Sequence, residues 1–137
     1  TNKVKFILPL FDYIHSLDNL KLAEKISIEQ KKKNFRPKIF IQVNIGKESQ
    51  KSGIEVENLE IFFKTCVSEL DLNIIGLMCI PPDDNRADLY FKEMNELNKQ
   101  LGLKDLSMGM SSDYEIAIKN KATFIRIGSK IFGDRSN

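Results

Sequence analysis

Two short segments near the C-terminal end of the sequence combine glycine with hydroxyl side chains. The first reads SMGMSSDYE, residues 107 to 115, and the second reads RIGSKIFG, residues 126 to 133. Each follows or ends an apolar segment, so each is expected to form the loop after a strand. Glycine lets the backbone approach a ligand closely, and hydroxyl and free N–H groups at a helix start bind anions such as phosphate. The two loops together predict a phosphate site.

The candidate phosphate contacts are Ser111, Ser112, Gly128 and Ser129. A structural interpretation of the first loop is also open, because Ser112 and Glu115 fit the S-x-x-E capping box of a helix. The carboxylate of Asp113 would oppose an anion unless it points away from the site. Phosphate bound between the loops after the last two strands is a recurrent arrangement in (β/α)8 barrels.

Arg126 is a permanent cation in the apolar strand pattern TFIRI, residues 123 to 127. Alternation of side chains places Phe124 and Arg126 on one face of this strand. Two interpretations stand: an interior ion pair with an acidic residue, or a contact with a ligand. A guanidinium offers only hydrogen-bond donors, so as a ligand contact it would face an acceptor close to the phosphate.

Other polar residues carry weaker signals. His15, the only histidine, has no nucleophile near it in the sequence and is interpreted as a structural residue at a strand end. Asp83 and Asp84 fit a turn or a helix N-cap rather than a catalytic pair. Asn44 ends a strand, where a barrel places functional groups. Lys51 in the next loop fits either a ligand contact or a solvated side chain, and the solvated side chain is favoured.

The composition is that of an ordinary globular protein. The 137 residues are 42% hydrophobic and 29% charged, which argues against disorder and predicts a single domain over residues 1–137. A formal net charge of +2 is too small for a nucleic-acid surface. Cys66 and Cys79 lack the spacing of metal ligands and are expected to be buried thiols. With neither a signal peptide nor a membrane-spanning apolar run visible, the expected location is the cytoplasm.

The elements that position the two loops alternate between strands and helices. Strand patterns cover residues 13 to 17, 38 to 45, 73 to 80, 106 to 108 and 123 to 127, and a helix pattern follows each of the first four. Such alternation indicates a parallel sheet covered by helices. An open doubly wound sheet and a (β/α)8 barrel both fit. Length favours the open sheet, because a barrel typically needs about 250 residues.

Four segments read together resemble one family: IQVNIGKESQKSGI, IIGLMCIPP, LSMGMSSDYEIAI and FIRIGSKIFG. They are similar to the pyridoxal 5′-phosphate (PLP) homeostasis proteins, formerly described as proline synthetase co-transcribed homologues. The combination of S-M-G-M-S-S-D with R-I-G-S-x-I-F-G is the most specific part. The resemblance implies an α/β fold, a partial (β/α)8 barrel akin to the alanine racemase N-terminal domain, and this replaces the open sheet. The chain would supply about five C-terminal β/α units of the barrel.

The resemblance also implies a function, that of a non-catalytic carrier or buffer of PLP in vitamin B6 homeostasis. It implies that the four loop residues named above surround the cofactor phosphate and that Arg126 donates to the pyridine nitrogen. Family members hold PLP through a Schiff-base lysine in a V-S-K-like motif on the first barrel strand. No such motif occurs in this chain, which resembles the C-terminal three-fifths of a member.

Three functions are consistent with the resemblance. The first is the PLP carrier, whose partners would be PLP itself and PLP-dependent apo-enzymes, with no nucleic acid and no membrane. The second is an amino-acid racemase-like enzyme, which needs the absent lysine and an opposing base, usually a tyrosine from a second domain. The third is a scaffold that self-associates or pairs with a missing N-terminal part, because five barrel units leave two open sheet edges.

Overall fold

The computed structural model describes residues 13–49 and 52–126. This part of the chain contains five strands: β1 (Tyr13–Leu17), β2 (Lys38–Gln42), β3 (Asn73–Met78), β4 (Asp105–Met110) and β5 (Phe124–Arg126). All neighbouring strands are parallel, and their order in the sheet follows their order in the chain. The predicted strands are therefore confirmed, although β2 and β3 end earlier than their apolar patterns and β4 is longer.

Helices connect each strand to the next: α1 (Leu20–Lys33), α2 (Leu59–Lys64), α3 (Ala87–Gln100) and α4 (Tyr114–Lys119). A 3-10 turn at Val56–Asn58 precedes α2, and a π-helical segment at Thr65–Glu69 continues it. Among the helices that the structure describes, none is long and apolar enough to cross a membrane.

Local signals in the sequence set several helix ends. Helix α1 begins after Asn19, whose side-chain oxygen accepts a hydrogen bond from the Leu22 N–H at 2.8 Å. Helix α3 ends at Gln100, and Gly102, which was predicted to cap it, follows the C-cap residue Leu101 with a φ of 73°. The Gly102 N–H donates to the Lys99 carbonyl at 2.9 Å and the Leu103 N–H to the Asn98 carbonyl at 3.0 Å, which is a Schellman cap.

The sheet is strongly curled. In a flat sheet, β1 and β5 would lie four strand spacings apart, about 19 Å. Instead, the ring centroids of Tyr13 on β1 and Phe124 on β5 are 5.3 Å apart. This curl confirms the barrel-type architecture that the resemblance implied, and the open sheet favoured by length alone is wrong.

Curling gives the sheet a convex face covered by helices and a concave interior face. The buried apolar side chains between the sheet and the helices form the main core, which includes Ile14, Leu17, Ala23, Ile26, Ile39, Ile41, Leu77, Phe91, Met94, Leu106 and Met108. The concave face carries an aromatic cluster, defined here as Tyr13, His15, Phe40 and Phe124. Strand irregularities in β3 and β4 change which side chains reach this face.

A buried amide joins α3 to the sheet. The Asn98 Oδ1 accepts a hydrogen bond from the Leu77 N–H at 3.1 Å, and its Nδ2 donates to the Leu103 and Asp105 carbonyls at 3.3 and 2.9 Å. Asn98 is only 4% exposed, and its amide satisfies a buried backbone N–H and two partly buried carbonyls. One side chain thereby fixes the path of the chain from α3 into β4.

Candidate functional site

The carboxyl ends of the parallel strands lie at one rim of the curled sheet, and the predicted loops begin there. In the register of the last two strands, Ser107 pairs with Phe124 and Met110 pairs with Arg126. The turn that contains Ser111 and Ser112 therefore begins beside the residue that ends β5. The other two predicted phosphate contacts, Gly128 and Ser129, lie outside the described residues.

The turn between β4 and α4 leaves both serines exposed. Helix α4 begins at Tyr114, its N-cap residue is Asp113, and no side chain caps it. The capping box predicted for Ser112 and Glu115 is therefore wrong. Instead of a capping box, the turn contains a hydrogen bond back to the strand: the Asp113 Oδ1 accepts from the Met110 N–H at 2.7 Å.

Gly109 determines how closely α4 packs against the end of β4. It lies inside β4 rather than in the turn after it, with a φ of 106°. A Cβ at this position would lie 2.7 Å from the Ala117 Cβ and 3.2 Å from the Tyr114 Cα. Only glycine fits both the positive φ and the small space beside Ala117 and Tyr114. Gly109 therefore holds the turn that carries Ser111 and Ser112, called the serine turn below, close to the sheet.

Arg126 ends β5 on the same face as Phe124, which places it on the concave side. The side chain is half-buried, and burial lowers the pKa of its guanidinium from the ordinary value. In residues 13–49 and 52–126, no carboxylate lies within ion-pair distance of it. The interior ion pair has no partner in this part of the chain, and contact with a ligand stays a prediction.

His15 occupies the middle of β1 and of the aromatic cluster, so its interpretation as a strand-end residue is wrong. Its ring stacks on Phe40 with centroids 4.8 Å apart and planes 15° apart, and its Nδ1 lies 3.3 Å from the Ser107 Oγ. Burial lowers the pKa of His15 from 6.5, and the Arg126 charge lowers it further. The imidazole is therefore neutral at neutral pH.

Sequence reasoning missed the central position of His15. Its alternation with Tyr13 in a short strand pattern was visible, but its contacts come from β2, β4 and β5. These strands reach His15 because the sheet curls, and the local pattern does not encode that curl.

A cleft of about 670 Å³ lies on the other side of the serine turn, between the loops after β3 and β4. Ser112 and Met110 line part of it, and its carboxylates are Glu48, Asp83, Asp84, Asp88 and Asp113. So many negative charges oppose an anion at this side of the turn.

Asp84 has the turn role that its position predicted. It accepts hydrogen bonds from the Tyr90 hydroxyl at 2.7 Å and from the Arg86 Nη2 at 2.8 Å, and the Arg86 N–H donates to it at 3.2 Å. These bonds, with that from Tyr90 contributing most, lower the pKa of Asp84. The N-cap of α3 is Arg86, so Asp84 organises the preceding turn rather than capping the helix.

Asn44 is buried, and its side chain stabilises the loop after β2 instead of facing solvent at the rim of the sheet. Its buried Nδ2 donates to the Glu48 carbonyl at 2.7 Å and to the Glu55 Oε2 at 3.2 Å, and its Oδ1 accepts from the Glu48 N–H. The amide is therefore engaged in shaping the loop after β2. Lys51 in that loop lies outside the described residues.

Residues 5–136 match the model of the family described as alanine racemase, N-terminal domain. The chain belongs to this family. The fold agrees with the match, since five parallel strands, joined by helices in the described part of the chain, curl around one interior face.

Several proteins in the family are similar to this chain over almost all of its length. The chain is 41% identical over 144 residues to the pyridoxal phosphate homeostasis protein of Aquifex aeolicus, with 98% of this chain and 63% of the relative covered. It is 40% identical over 141 residues to the protein of the same name from Pseudomonas aeruginosa, with 98% and 61% covered. These relatives confirm the resemblance inferred from the sequence motifs.

A solved structure of PipY from Synechococcus elongatus PCC7942, with PLP bound, has the same fold. The two superpose with a TM-score of 0.81 at 30% identity, covering 91% of this chain and 62% of PipY. The chain thus spans a little more than three-fifths of the length of PipY and of the two relatives above.

Proposed function

We propose that this chain forms the phosphate- and pyridine-binding side of a PLP carrier that serves vitamin B6 homeostasis without catalysing a reaction. The observation that carries the proposal is the position of Arg126, on the concave face and beside the turn of Ser111 and Ser112. The names of the relatives and the PLP bound to PipY support the same ligand.

The chemistry of Arg126 fits the ring of PLP. A half-buried guanidinium without a carboxylate partner in the described part of the chain gains free energy from a hydrogen-bond acceptor. An unprotonated pyridine nitrogen is such an acceptor, and a donor-only side chain keeps it unprotonated. PLP supplies an aldehyde and an electron-accepting ring, and an unprotonated ring is the weaker electron acceptor. Arg126 therefore suits holding the cofactor more than driving chemistry on it, although racemases tolerate a similar arginine.

The phosphate would bind on the β5 side of the serine turn. The turn carries the exposed hydroxyls of Ser111 and Ser112, of which Ser112 also lines the neighbouring cleft. Gly128 and Ser129 follow β5 in the sequence, after Ile127. The carboxylates of the neighbouring cleft disfavour the other side. This arrangement keeps the phosphate within one short loop of Arg126. The carrier would deliver PLP to PLP-dependent apo-enzymes in the cytoplasm.

The test measures binding of pyridoxine 5′-phosphate, which has the ring and phosphate of PLP but no aldehyde to react with surface lysines. Isothermal calorimetry on the whole chain is expected to show weak, reversible binding. Arg126→Leu should weaken it by about 10- to 100-fold, since a hydrogen bond to a charged donor contributes about 1.5–3 kcal/mol. Inorganic phosphate should bind both proteins equally.

Arg36→Leu is the matched control, because Arg36 is an exposed arginine at the opposite end of the sheet that pairs with Asp71 at 3.1 Å. It should bind pyridoxine 5′-phosphate like the unmodified chain. Equal affinity of the unmodified chain and Arg126→Leu would contradict the assignment of Arg126. Racemisation of alanine by the chain with PLP would contradict the non-catalytic role.

A further inference from the structure

We propose that His15 is the positioning residue for Arg126: a neutral imidazole, fixed by Ser107 and Phe40, that supports the guanidinium and directs it toward the ring of the bound cofactor. The inference rests on the proposed function, because the ring that Arg126 faces is the pyridine of PLP. It adds a role for a residue from the strand farthest from β5 in the sheet order.

His15 contacts side chains from three other strands. It stacks on Phe40 of β2, lies 3.3 Å from the Ser107 Oγ of β4, and meets the edge of Phe124 of β5 with centroids 5.8 Å apart. These contacts restrain the ring in both tilt and rotation, because stacking fixes its plane and the Ser107 bond fixes its orientation in that plane. A ring held in this way can orient a neighbour.

Arg126 lies one layer above this ring, toward the carboxyl ends of the strands. The strand pair carries Ser107 opposite Phe124 in the His15 layer and Met110 opposite Arg126 in the next. Side chains two residues apart on one strand share a face, so the guanidinium stands over the layer that His15 occupies.

A neutral partner is chemically different from a carboxylate in this position. A carboxylate would take the guanidinium donors in a bidentate ion pair and leave fewer for a ligand. A neutral imidazole has one lone pair at most to offer, so Arg126 keeps its charge and most of its donors. His15 thereby allows Arg126 to be ordered before the cofactor arrives.

Of the charged and titratable groups on the concave face, Arg126 is the one whose charge changes the pKa of His15. Alternation places Tyr13 of β1, Lys38 of β2, Asp105 of β4 and Arg126 of β5 on the concave face. The first three lie at the amino ends of their strands, and Lys38 sits over the Tyr13 ring at 5.2 Å. Arg126 is the charge that lowers the pKa of His15 beyond the effect of burial.

The first experiment measures the pKa of His15 by proton NMR in the ligand-free chain, where a single histidine makes the assignment unambiguous. Arg126→Met should raise this pKa toward 6.5, whereas Arg126→Lys, which keeps a cation, should leave it low. Arg36→Met is the control and should cause no shift. No rise in Arg126→Met would overturn the proposal, because His15 and Arg126 would not then be neighbours in solution.

The second experiment compares binding of pyridoxine 5′-phosphate and of inorganic phosphate in two variants at about pH 7.5 and pH 5.5. His15→Phe keeps an aromatic ring against Phe40 but loses the ring nitrogens and the contact with Ser107, so its affinity for pyridoxine 5′-phosphate should fall several-fold while inorganic phosphate binds unchanged. His15→Gln retains a polar group that does not titrate. It should bind within about twofold of the unmodified chain at the higher pH. The ratio of affinities should shift toward the variant at the lower pH, which favours protonation of His15 beside the Arg126 cation.

The outcomes distinguish a failure of the positioning role of His15 from a failure of the proposed function. Equal affinity of the unmodified chain and both variants for pyridoxine 5′-phosphate would overturn the positioning role and leave the proposed function in place. If the unmodified chain does not bind this ligand at all, the proposed function fails and the positioning role fails with it. An equal loss of affinity for both ligands in His15→Gln would also overturn the proposal, since general damage to the site would explain it.

Discussion

Gly109→Ala should destabilise the chain by a packing conflict between β4 and α4. The new Cβ would lie 2.7 Å from the Ala117 Cβ, whereas carbon atoms prefer about 3.5–4.0 Å. Crowding of this kind costs about 1–3 kcal/mol, and the φ of 106° adds about 1–3 kcal/mol of backbone strain. The expected loss in free energy of unfolding is therefore about 2–6 kcal/mol, measured by urea denaturation.

Two further variants separate the crowding from the strain. Gly102→Ala has a positive φ of 73° with nothing within 4 Å of the new Cβ, and should cost only about 1–2 kcal/mol. Ala117→Gly removes the conflicting Cβ at a cost of about 1 kcal/mol in helix propensity. In the double variant Gly109→Ala/Ala117→Gly, the crowding is relieved, so the two changes should be less harmful together than their sum by about 1–3 kcal/mol.

The double-mutant cycle decides the matter. A coupling energy within about 0.5 kcal/mol of zero would refute the reasoning, because independent sites add to that precision. Ligand binding should change together with stability. Gly109→Ala displaces the serine turn, so the affinity of this variant for pyridoxine 5′-phosphate should fall. Adding Ala117→Gly should restore part of that affinity. Restored stability without restored binding would show that Gly109 does not position the turn.

Three other expectations concern stability and reactivity. Asn98→Ala should lower the free energy of unfolding by about 2–4 kcal/mol, because it leaves a buried N–H and two carbonyls without their hydrogen-bond partner. Asn95→Ala on the same helix should cost less than about 1 kcal/mol. Equal losses in urea denaturation would argue against a stabilising role of the Asn98 hydrogen bonds. The lowered pKa of His15 means that the unfolded chain binds a proton more readily, so stability should fall as the pH drops below 6.5. His15→Phe should reduce this slope, and an unchanged slope would assign it to other groups. Burial raises the pKa of Cys66 to about 12 and also raises that of Cys79, so neither thiol should react with a thiol reagent in the native chain near neutral pH; rapid labelling without denaturant would contradict their burial.

Local patterns in the sequence predicted the elements of the fold well. The strand at residues 13 to 17 follows from alternation, and the end of α3 shortly before Gly102 follows from glycine at a helix C-terminus. These features depend on neighbours in the sequence. The curl of the sheet does not depend on neighbours in the sequence, so chain length favoured the wrong architecture and only the family motifs indicated the barrel.

The site was harder to predict for the same reason. The capping box at Ser112 satisfied a local rule, but the Met110 N–H at the end of β4 offered Asp113 a better-placed donor. The environment of His15 depends on strands that are distant in the sequence. The face of Arg126 could be predicted from alternation, whereas the absence of a nearby carboxylate in the described part of the chain required coordinates.

The contact between Tyr13 and Phe124 affects the order in which parts of the chain fold. These residues lie near opposite ends of the described chain, so their contact closes a very long loop and raises the contact order. Contacts of this kind are expected to form late, after the individual β/α units have begun to pack. A chain still emerging from the ribosome would therefore lack the interior face that carries Arg126 and His15, and the proposed binding of PLP would become possible only when synthesis has passed β5.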